Sequence, residues 1–459
     1  MSLTKFVGLL AGSTLTLTSV SYGAAEANND TAAEIQSLKA EIAAMKASQG
    51  EQWLTEARAE QIRGVVQDVL SDSSTRTSFQ AAGGPTAGYD NGFFMASADG
   101  NWKFKINALE QARFVYNNTF VPTTGGPGGS DQNTWGFENR RTQLFFSGNV
   151  VDPSWKYLIG IAYDAQSDPY VPVAGAFQVL YAQVTKVLGE GFSLTVGQQN
   201  VPWTFESNLF NAGATQMGDY SIFEYIFGAG QSTGASLMWQ NDALRVNAGW
   251  FNTIEHAAGA STQGWNNTGN QSYALAARAD WKISGTWEQF TKESSFKGEE
   301  FGAKVGGSLI WQNGRRINNP PVDGSTWPSN PFGFNADVAF NFGGANIIAQ
   351  FAWVDDLNPA GGSTWGLNVQ GGFFVTDDLE IFGAMMYDDQ DDANWYVQFG
   401  TNWYFAKNNV KATIMAIIPL AGDSAAAGTS AALRGYEGGI GLSPQDNNFS
   451  IMAQIQMMF

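Results

Sequence analysis

The 459-residue chain has no cysteine and a single histidine, His256. The first absence excludes disulfide staples and thiolate metal sites, and it suits an exported protein that dispenses with both. The second excludes any multi-histidine metal centre, and it leaves a histidine-based triad only His256, which falls in the predicted loop NTIEHAAGASTQG. Charge is scarce as well, at 14% of residues, with 42 Asp and Glu against 24 Lys and Arg. That balance excludes nucleic acid as a partner, because phosphate contacts need a basic surface. No window approaches the roughly 18–20 uninterrupted apolar residues of a spanning helix, so a helical membrane protein is excluded too. Scattered carboxylates with no accompanying motif give no case for an enzyme.

Gly 53, Trp 16 and 14% aromatic residues are abundant, and they fall in short alternating segments. From Trp102 onward apolar residues recur at every second position, the period of a strand. The clearest segments are WKFKI (102–106), WKYLIGIAY (155–163), GFSLTVG (191–197), YALAARADWKI (273–283), FNADVAFNF (334–342), DLEIFGAMMY (378–387) and WYVQFGTNWYF (395–405). With weaker segments added they number about 16, at roughly 22 residues per strand and connection. Tight turns at VDPS (151–154), LGEG (188–191), QNDA (240–243), GGA (343–345), TDD (376–378) and AKNN (406–409) largely alternate with long connections rich in Gly, Pro, Ser and Asn. Outer-membrane barrels show this asymmetry, whereas a soluble sandwich has no reason for it. The segment 284–300 breaks the pattern, being long where a short turn is expected.

The expected fold class is therefore all-β, an antiparallel transmembrane barrel of about 16 strands over 102–459. Ahead of it, Lys5, the apolar FVGLLAGSTLTLTSV and small residues near Gly23 predict a signal peptide over 1–25. Ile35, Leu38, Ile42 and Met45 repeat at the three, four, three spacing of a coiled-coil seam, so 26–77 reads as an α-helical stalk that joins copies, or else as a single amphipathic helix. The Gly- and Pro-containing 78–101 reads as a linker. NFSIMAQIQMMF alternates to the final Phe459, and Ile455, Met457 and Phe459 share one face, which predicts a closing strand with that face in lipid. Phe459 resembles the terminal signal read by barrel-assembly machinery.

AGYDNGFFMASADGNWKFKINALEQARFVYNN (87–118), GFENRRTQLFFSGNVVDPSWKY (136–157) and GFSLTVGQQNVPW (191–203) together resemble porins of the phosphate-selective O/P type, as found in planctomycete-like bacteria. The resemblance implies a homotrimer of 16-stranded barrels with a constriction loop after the fifth strand, and the strand count puts that loop at about 201–232. The chain departs from the family in lacking an excess of Lys and Arg, so the phosphate substrate is not carried over. The expected function is a passive diffusion channel for small polar solutes and ions, with a weak cation preference. The alternative is a structural outer-membrane protein that tethers the membrane to peptidoglycan or other cell-wall components through its stalk. Either reading places the barrel among outer-membrane lipid and lipopolysaccharide, with the stalk in the periplasm.

Within the loop, Glu206, Asp219 and Glu224 are acidic with no Lys or Arg, while strand phase turns Lys103, Lys105, Arg113, Arg141 and Lys156 inward. The sequence thus predicts opposed acidic and basic walls, with the basic residues alternatively paired to carboxylates such as Glu138 and Asp164. Glu110 shares the outward phase of Phe104 and Ile106, where a bulge, a subunit contact or a register change must explain it. No cofactor is expected beyond a candidate Ca²⁺ site at Asp388, Asp389, Asp391 and Asp392 in YDDQDDAN, part of an acidic outer mouth with Asp355 and Asp356.

Overall fold

The computed structural model describes Ala40 and residues 84–122, 129–164, 177–252, 273–313, 331–355, 363–389, 394–420 and 448–459. The expected signal peptide, the stalk with Ile35, Leu38, Ile42 and Met45, and the loop residues His256, Asp356, Asp391 and Asp392 lie outside these residues. Contacts divide the chain between Ala82 and Gly83.

Among the described residues, eighteen strands follow the division. A short hairpin, β1 (Thr86–Tyr89) and β2 (Phe93–Ala96), precedes β3 (Lys103–Pro122), β4 (Gly129–Val150), β5 (Asp152–Asp164), β6 (Phe177–Gly189), β7 (Phe192–Asn200) and β8 (Gln231–Gln240). Then come β9 (Leu244–Phe251), β10 (Tyr273–Ser284), β11 (Gly302–Asn313), β12 (Phe332–Asn341) and β13 (Ala345–Asp355). The last five are β14 (Ser363–Phe374), β15 (Leu379–Asp388), β16 (Asn394–Tyr404), β17 (Val410–Leu420) and β18 (Phe449–Met458). From β3 on, each strand pairs antiparallel with the next. β18 returns to β3 in a ladder from Phe449–Asn118 to Met458–Leu109, which closes a sixteen-stranded barrel. Phe459 extends the closure, its N–H donating to the Ala108 carbonyl at 3.2 Å and its carbonyl accepting from the Ala108 N–H at 2.9 Å.

Alternation sorts the side chains on every wall. In β10, Ala274, Ala276, Arg278 and Asp280 are buried toward the interior, while Leu275, Trp281 and Ile283 are exposed outside. In β18, Ser450, Met452, Gln454 and Gln456 face inward, whereas Ile455, Met457 and Phe459 face outward. Polar groups line the inside and apolar ones the outside, the inverse of a soluble barrel and the arrangement that lipid selects. At the short-turn end most connections are brief, from one residue between β4 and β5 to five between β16 and β17. Gly343 (φ +68°) and Gly344 (φ +126°) make the β12–β13 turn, and a Cβ on Gly343 would lie 2.2 Å from the Glu299 carbonyl oxygen.

Two stretches differ from the sequence expectation. The linker 78–101 contains the β1–β2 hairpin, and β2 pairs with Lys103–Ile106 of β3 on the same edge as β18, continuing that row beyond Phe459. The Phe93 and Phe459 rings meet edge to face at 6.0 Å across the join. The long connection 285–301 folds back into the barrel mouth, where Phe290, Glu293, Ser294, Ser295 and Phe296 are buried. Phe296 packs on Phe374 at 5.4 Å and Tyr404 at 5.1 Å, both on inward rows. Strand register on either side is kept, with one irregularity between Lys282 and Ser284.

Because Ile455 lies on the outward row of the closing strand, Ile455→Asp puts a charge against lipid at a cost on the order of 1–2 kcal/mol. Its expected effect is a reduced yield of heat-modifiable folded barrel relative to Ile455→Val. Equal yields would contradict the outward assignment of β18.

Candidate functional site

Between β7 and β8, residues 201–230 run inside the barrel instead of out into solvent. Val201, Trp203, Phe205, Leu209, Met217, Ile222, Phe223 and Phe227 are all buried. This apolar content cannot stay in water, and the closed wall offers the place to bury it. The segment carries a 3₁₀ turn at Glu206–Asn208, another at Ala212–Ala214, and a short helix, α1 (Ile222–Phe227). Ser221 caps α1, its hydroxyl accepting from the Glu224 N–H at 3.1 Å, and Gly228 ends it. Trp203 Nε1 donates to the Phe227 carbonyl at 2.7 Å, pinning the two ends of the segment together.

Wall groups satisfy the segment's backbone almost all the way round. Arg278 Nη1 and Ser308 Oγ both donate to the Trp203 carbonyl at 2.8 Å. Lys411 Nζ donates to the Thr215 carbonyl at 2.5 Å, Asn402 Nδ2 to that of Gln216 at 2.7 Å and Gln454 Nε2 to that of Gly218 at 2.8 Å. On the opposite side, Tyr181 Oη donates to the Phe210 carbonyl at 3.2 Å. The folded-back connection meets the segment from the short-turn end, where the Glu293 N–H donates to the Ala214 carbonyl at 3.1 Å and the Gln216 N–H to Glu293 Oε2 at 2.6 Å.

Asp219 is the electrostatic centre of the interior. Its carboxylate accepts from Arg113 Nη1 at 3.0 Å, Arg140 Nε at 3.0 Å, Arg141 Nη2 at 2.7 Å and Tyr225 Oη at 3.0 Å. Arg113 also binds Glu138. Strict alternation cannot turn both Arg140 and Arg141 inward. A bulge does: Gln111 pairs with Arg141 and Ala112 with Asn139, which leaves Arg140 as the extra residue, and both arginines are buried. The acidic and basic groups placed by sequence on facing walls are thus in direct contact at Asp219, not separated by water. Burial opposes the Asp219 charge, but Arg141, Arg140 and Arg113 outweigh it and hold the carboxyl well below its ordinary range.

The other two acids of the segment have no such partner. Burial pushes Glu206 up to about 7, although the Ser221 hydroxyl and N–H both donate to it. Burial and the nearby Glu206 push Glu224 well above the usual range. Burial, again with Glu206, carries Glu293 to about 8. Near neutrality Glu206 lies close to the midpoint of its titration while Glu224 and Glu293 favour the protonated form, so Asp219 carries the segment's firm negative charge.

The remaining expected site residues are dispersed. Lys103, Lys105 and Lys156 stand on inward rows nearer the short-turn end, eight or more residues along β3 from Arg113 in the first two cases, and Lys103 faces Asp90 at 3.7 Å. Asp388 accepts from Asn394 Nδ2 at 3.0 Å and Asp389 from the Trp365 N–H at 2.6 Å. Among the described residues no group of three or more His, Cys, Asp or Glu is placed to hold a metal.

A second ion cluster, absent from the sequence reading, lies on β10–β12. Arg278 grips Asp280 at 2.6 and 3.0 Å and Asp337 at 2.7 and 2.9 Å, while Lys304 Nζ binds Asp280 at 2.7 Å. Gly306 makes room for it, since a Cβ there would lie 2.2 Å from Arg278 Nη2. Arg278 and Asp280 share the inward phase of YALAARADWKI, a signal that strand periodicity alone could have yielded.

Comparison with known proteins bears on the whole arrangement. The profile of the family described as phosphate-selective porin O and P matches residues 123–313. Among solved structures, the Salmonella typhi OmpF complex with daunomycin has a TM-score of 0.50 at 13% identity, covering 82% of this chain and 100% of that one. The high-pH structure of Pseudomonas putida OprB has a TM-score of 0.50 at 9% identity, covering 84% and 97%. At such identities the likeness concerns the fold. No curated protein matches the chain.

Two outcomes are expected of the interior. An acid whose folded value exceeds its unfolded one adds stability in full below the ordinary 4.5 and loses it as pH rises through the folded value. Melting temperature should therefore fall from pH 5.5 to 9, with Glu206 and Glu293 each contributing on the order of 1–3 kcal/mol, and Glu206→Gln with Glu293→Gln should flatten the profile. A flat wild-type profile would contradict the burial of these acids. Arg278→Ala leaves Asp280 and Asp337 short of their main cation and should destabilise the barrel by about 3–5 kcal/mol in denaturant titration; a loss below 1 kcal/mol would count against the cluster.

Proposed function

We propose that this chain, a porin of the phosphate-selective O and P type, is a passive diffusion channel of a bacterial outer membrane, with residues 201–230 as its constriction. One observation carries the reading: a closed barrel with apolar residues outside and polar ones inside holds a segment from its fifth strand against the interior wall. Such a segment narrows the lumen and brings its own charge to the narrowest part. The family match supports a channel, and the sixteen-stranded closure supports an outer-membrane location.

In this reading the short-turn end faces the periplasm, where residues 26–77 form the stalk, and three copies assemble. The solutes are small and polar. Selectivity follows from the Asp219 contact with Arg113, Arg140 and Arg141, because burial raises Glu206 and Glu224 and leaves Asp219 as the segment's firmly ionised acid. The cation preference expected from an unopposed acidic loop is therefore not retained, and the wall arginines decide how anions pass.

A second reading has an observation in its favour. The interior segment is bonded to strands around most of the circumference, as an anchor filled for stability requires, which suits a structural protein whose stalk tethers the membrane to the cell wall.

Planar-bilayer recording separates the two. The channel reading expects discrete conductance steps from the intact protein. Asp219→Asn should move the reversal potential across a KCl gradient toward chloride, since it uncovers three guanidinium groups, whereas Glu224→Gln should leave it unchanged at pH 6. Membranes that stay silent over a range of voltages, with folded barrel inserted, would favour the tether.

A further inference from the structure

Of the large apolar side chains in residues 201–230, Phe210 alone is exposed, at 43%, and inside a closed wall the space it faces is the lumen. Its other side is held. The ring lies parallel to that of Tyr181, at an interplanar angle of 4° and a centroid distance of 6.4 Å, and it leans on Phe145 at 4.7 Å. Tyr181 Oη fixes the backbone beneath, donating to the Phe210 carbonyl at 3.2 Å and to Asn200 Oδ1 at 3.0 Å. Gly160 stands in register between the two wall rings, and a Cβ there would lie 2.7 Å from Tyr181 Cδ2 and 3.1 Å from Phe145 Cδ1. The wall thus reserves room for a fixed slab of three rings with one bare surface.

The wall beside the slab carries hydroxyls and amides. Leu158 packs on the Phe145 and Tyr181 cluster and pairs in register with Gln183, whose half-buried amide is unpaired among the described residues. The next inward pair, Thr185 and Thr195, shares a hydrogen bond at 2.9 Å, which uses one of their two protons. Lys156, in register with Thr185, adds an exposed donor at the rim. The fold-back of 285–301 directs solutes to this patch. It seals the short-turn end on the side of β14 and β16, where Phe374 and Tyr404 are buried against Phe296, whereas Lys156, Leu158, Gln183, Thr185 and Thr195 on β5–β7 across the barrel stay open.

We propose that Phe210 and this rim form a subsite for a sugar ring, a pyranose whose C–H face lies on the bare side of Phe210 while Gln183, Thr185, Thr195 and Lys156 bond its hydroxyls. A sugar fits because it combines an apolar ring face with a fringe of hydroxyls. An aromatic solute would leave the amide and hydroxyls of the rim without partners, and an open-chain polyol would bring no face for the ring. The inference rests on the channel reading, and it gives the small polar solute a chemical class.

The test uses the full-length protein folded in a detergent without sugar headgroups, with cellobiose, sorbitol and nicotinamide as ring sugar, ringless polyol and aromatic probe. Saturation-transfer NMR should show cellobiose bound at millimolar concentration, and in planar bilayers cellobiose should reduce the KCl current saturably, with sorbitol doing neither. Phe210→Leu, which keeps the bulk and loses the flat face, should raise the half-blocking concentration about tenfold, Phe210→Trp should preserve the block, and Gln183→Ala should weaken it several-fold. A block that survives Phe210→Leu unchanged, an equal block by sorbitol, or a Phe210-dependent block by nicotinamide alone would each overturn the sugar subsite. If membranes stay silent while cellobiose binds in a Phe210-dependent manner, the channel reading fails and the subsite stands. If channels conduct and no cellobiose binds, the subsite fails and the channel stands.

Discussion

A backbone N–H or C=O in hydrocarbon has no water to bond, so each must find a partner within the protein. Everything else in this barrel depends on that constraint. It requires β18 to return to β3, and it makes the Phe459–Ala108 pair part of the wall instead of a frayed end. Closure combined with the two-residue strand period commits one row of every strand to lipid and the other to the interior. The interior row is then rich in side chains with donors to spare, such as Arg278, Asn402, Lys411, Gln454 and Gln456. A segment of chain carrying unpaired carbonyls is the natural partner for such a wall, and residues 201–230 fill that role.

The charge arrangement follows from a single irregularity. Without the extra residue at Arg140, one of the two successive arginines would face lipid and Asp219 would have a weaker partner set. With it, three guanidinium groups meet one carboxylate. The bulge also lies directly behind Glu110, whose carboxylate accepts from the Thr142 hydroxyl on the outer face, so a local departure from regular pairing shapes the inner wall and the outer face together.

Much of the fold was legible because strand period and turn chemistry are local. The segments WKYLIGIAY and YALAARADWKI carry their inward and outward rows in their own letters, and the glycines of GGA announce their turn. Three features were not legible. The bulge exists only in the pairing of Gln111 with Arg141, which no periodicity within β4 reveals. The fold-back of 285–301 depends on Phe296 finding Phe374 and Tyr404, each distant in sequence. The ion cluster brings together Arg278, Asp280, Lys304 and Asp337 from three strands, and only the register of β10, β11 and β12 makes them neighbours. Of the predicted site, Asp219, Arg113 and Arg141 are brought together, because charges of opposite sign on inward rows have few other places to go. Glu206 and Glu224 are acidic by letter but buried by context, which sequence does not record.

The central claim is that residues 201–230 rest inside the barrel against its wall, and a paired-cysteine measurement tests it most directly. A Cβ at Gly218 would lie 3.6 Å from Thr413 Cγ2, with only the flexible end of Met452 to displace. Gly218→Cys combined with Thr413→Cys, in a chain free of other cysteines, should form an internal disulfide under mild oxidation of the folded protein, seen as protection of both thiols from maleimide that reductant reverses. If both thiols remain reactive after oxidation while the barrel stays folded, the segment does not sit where this account puts it.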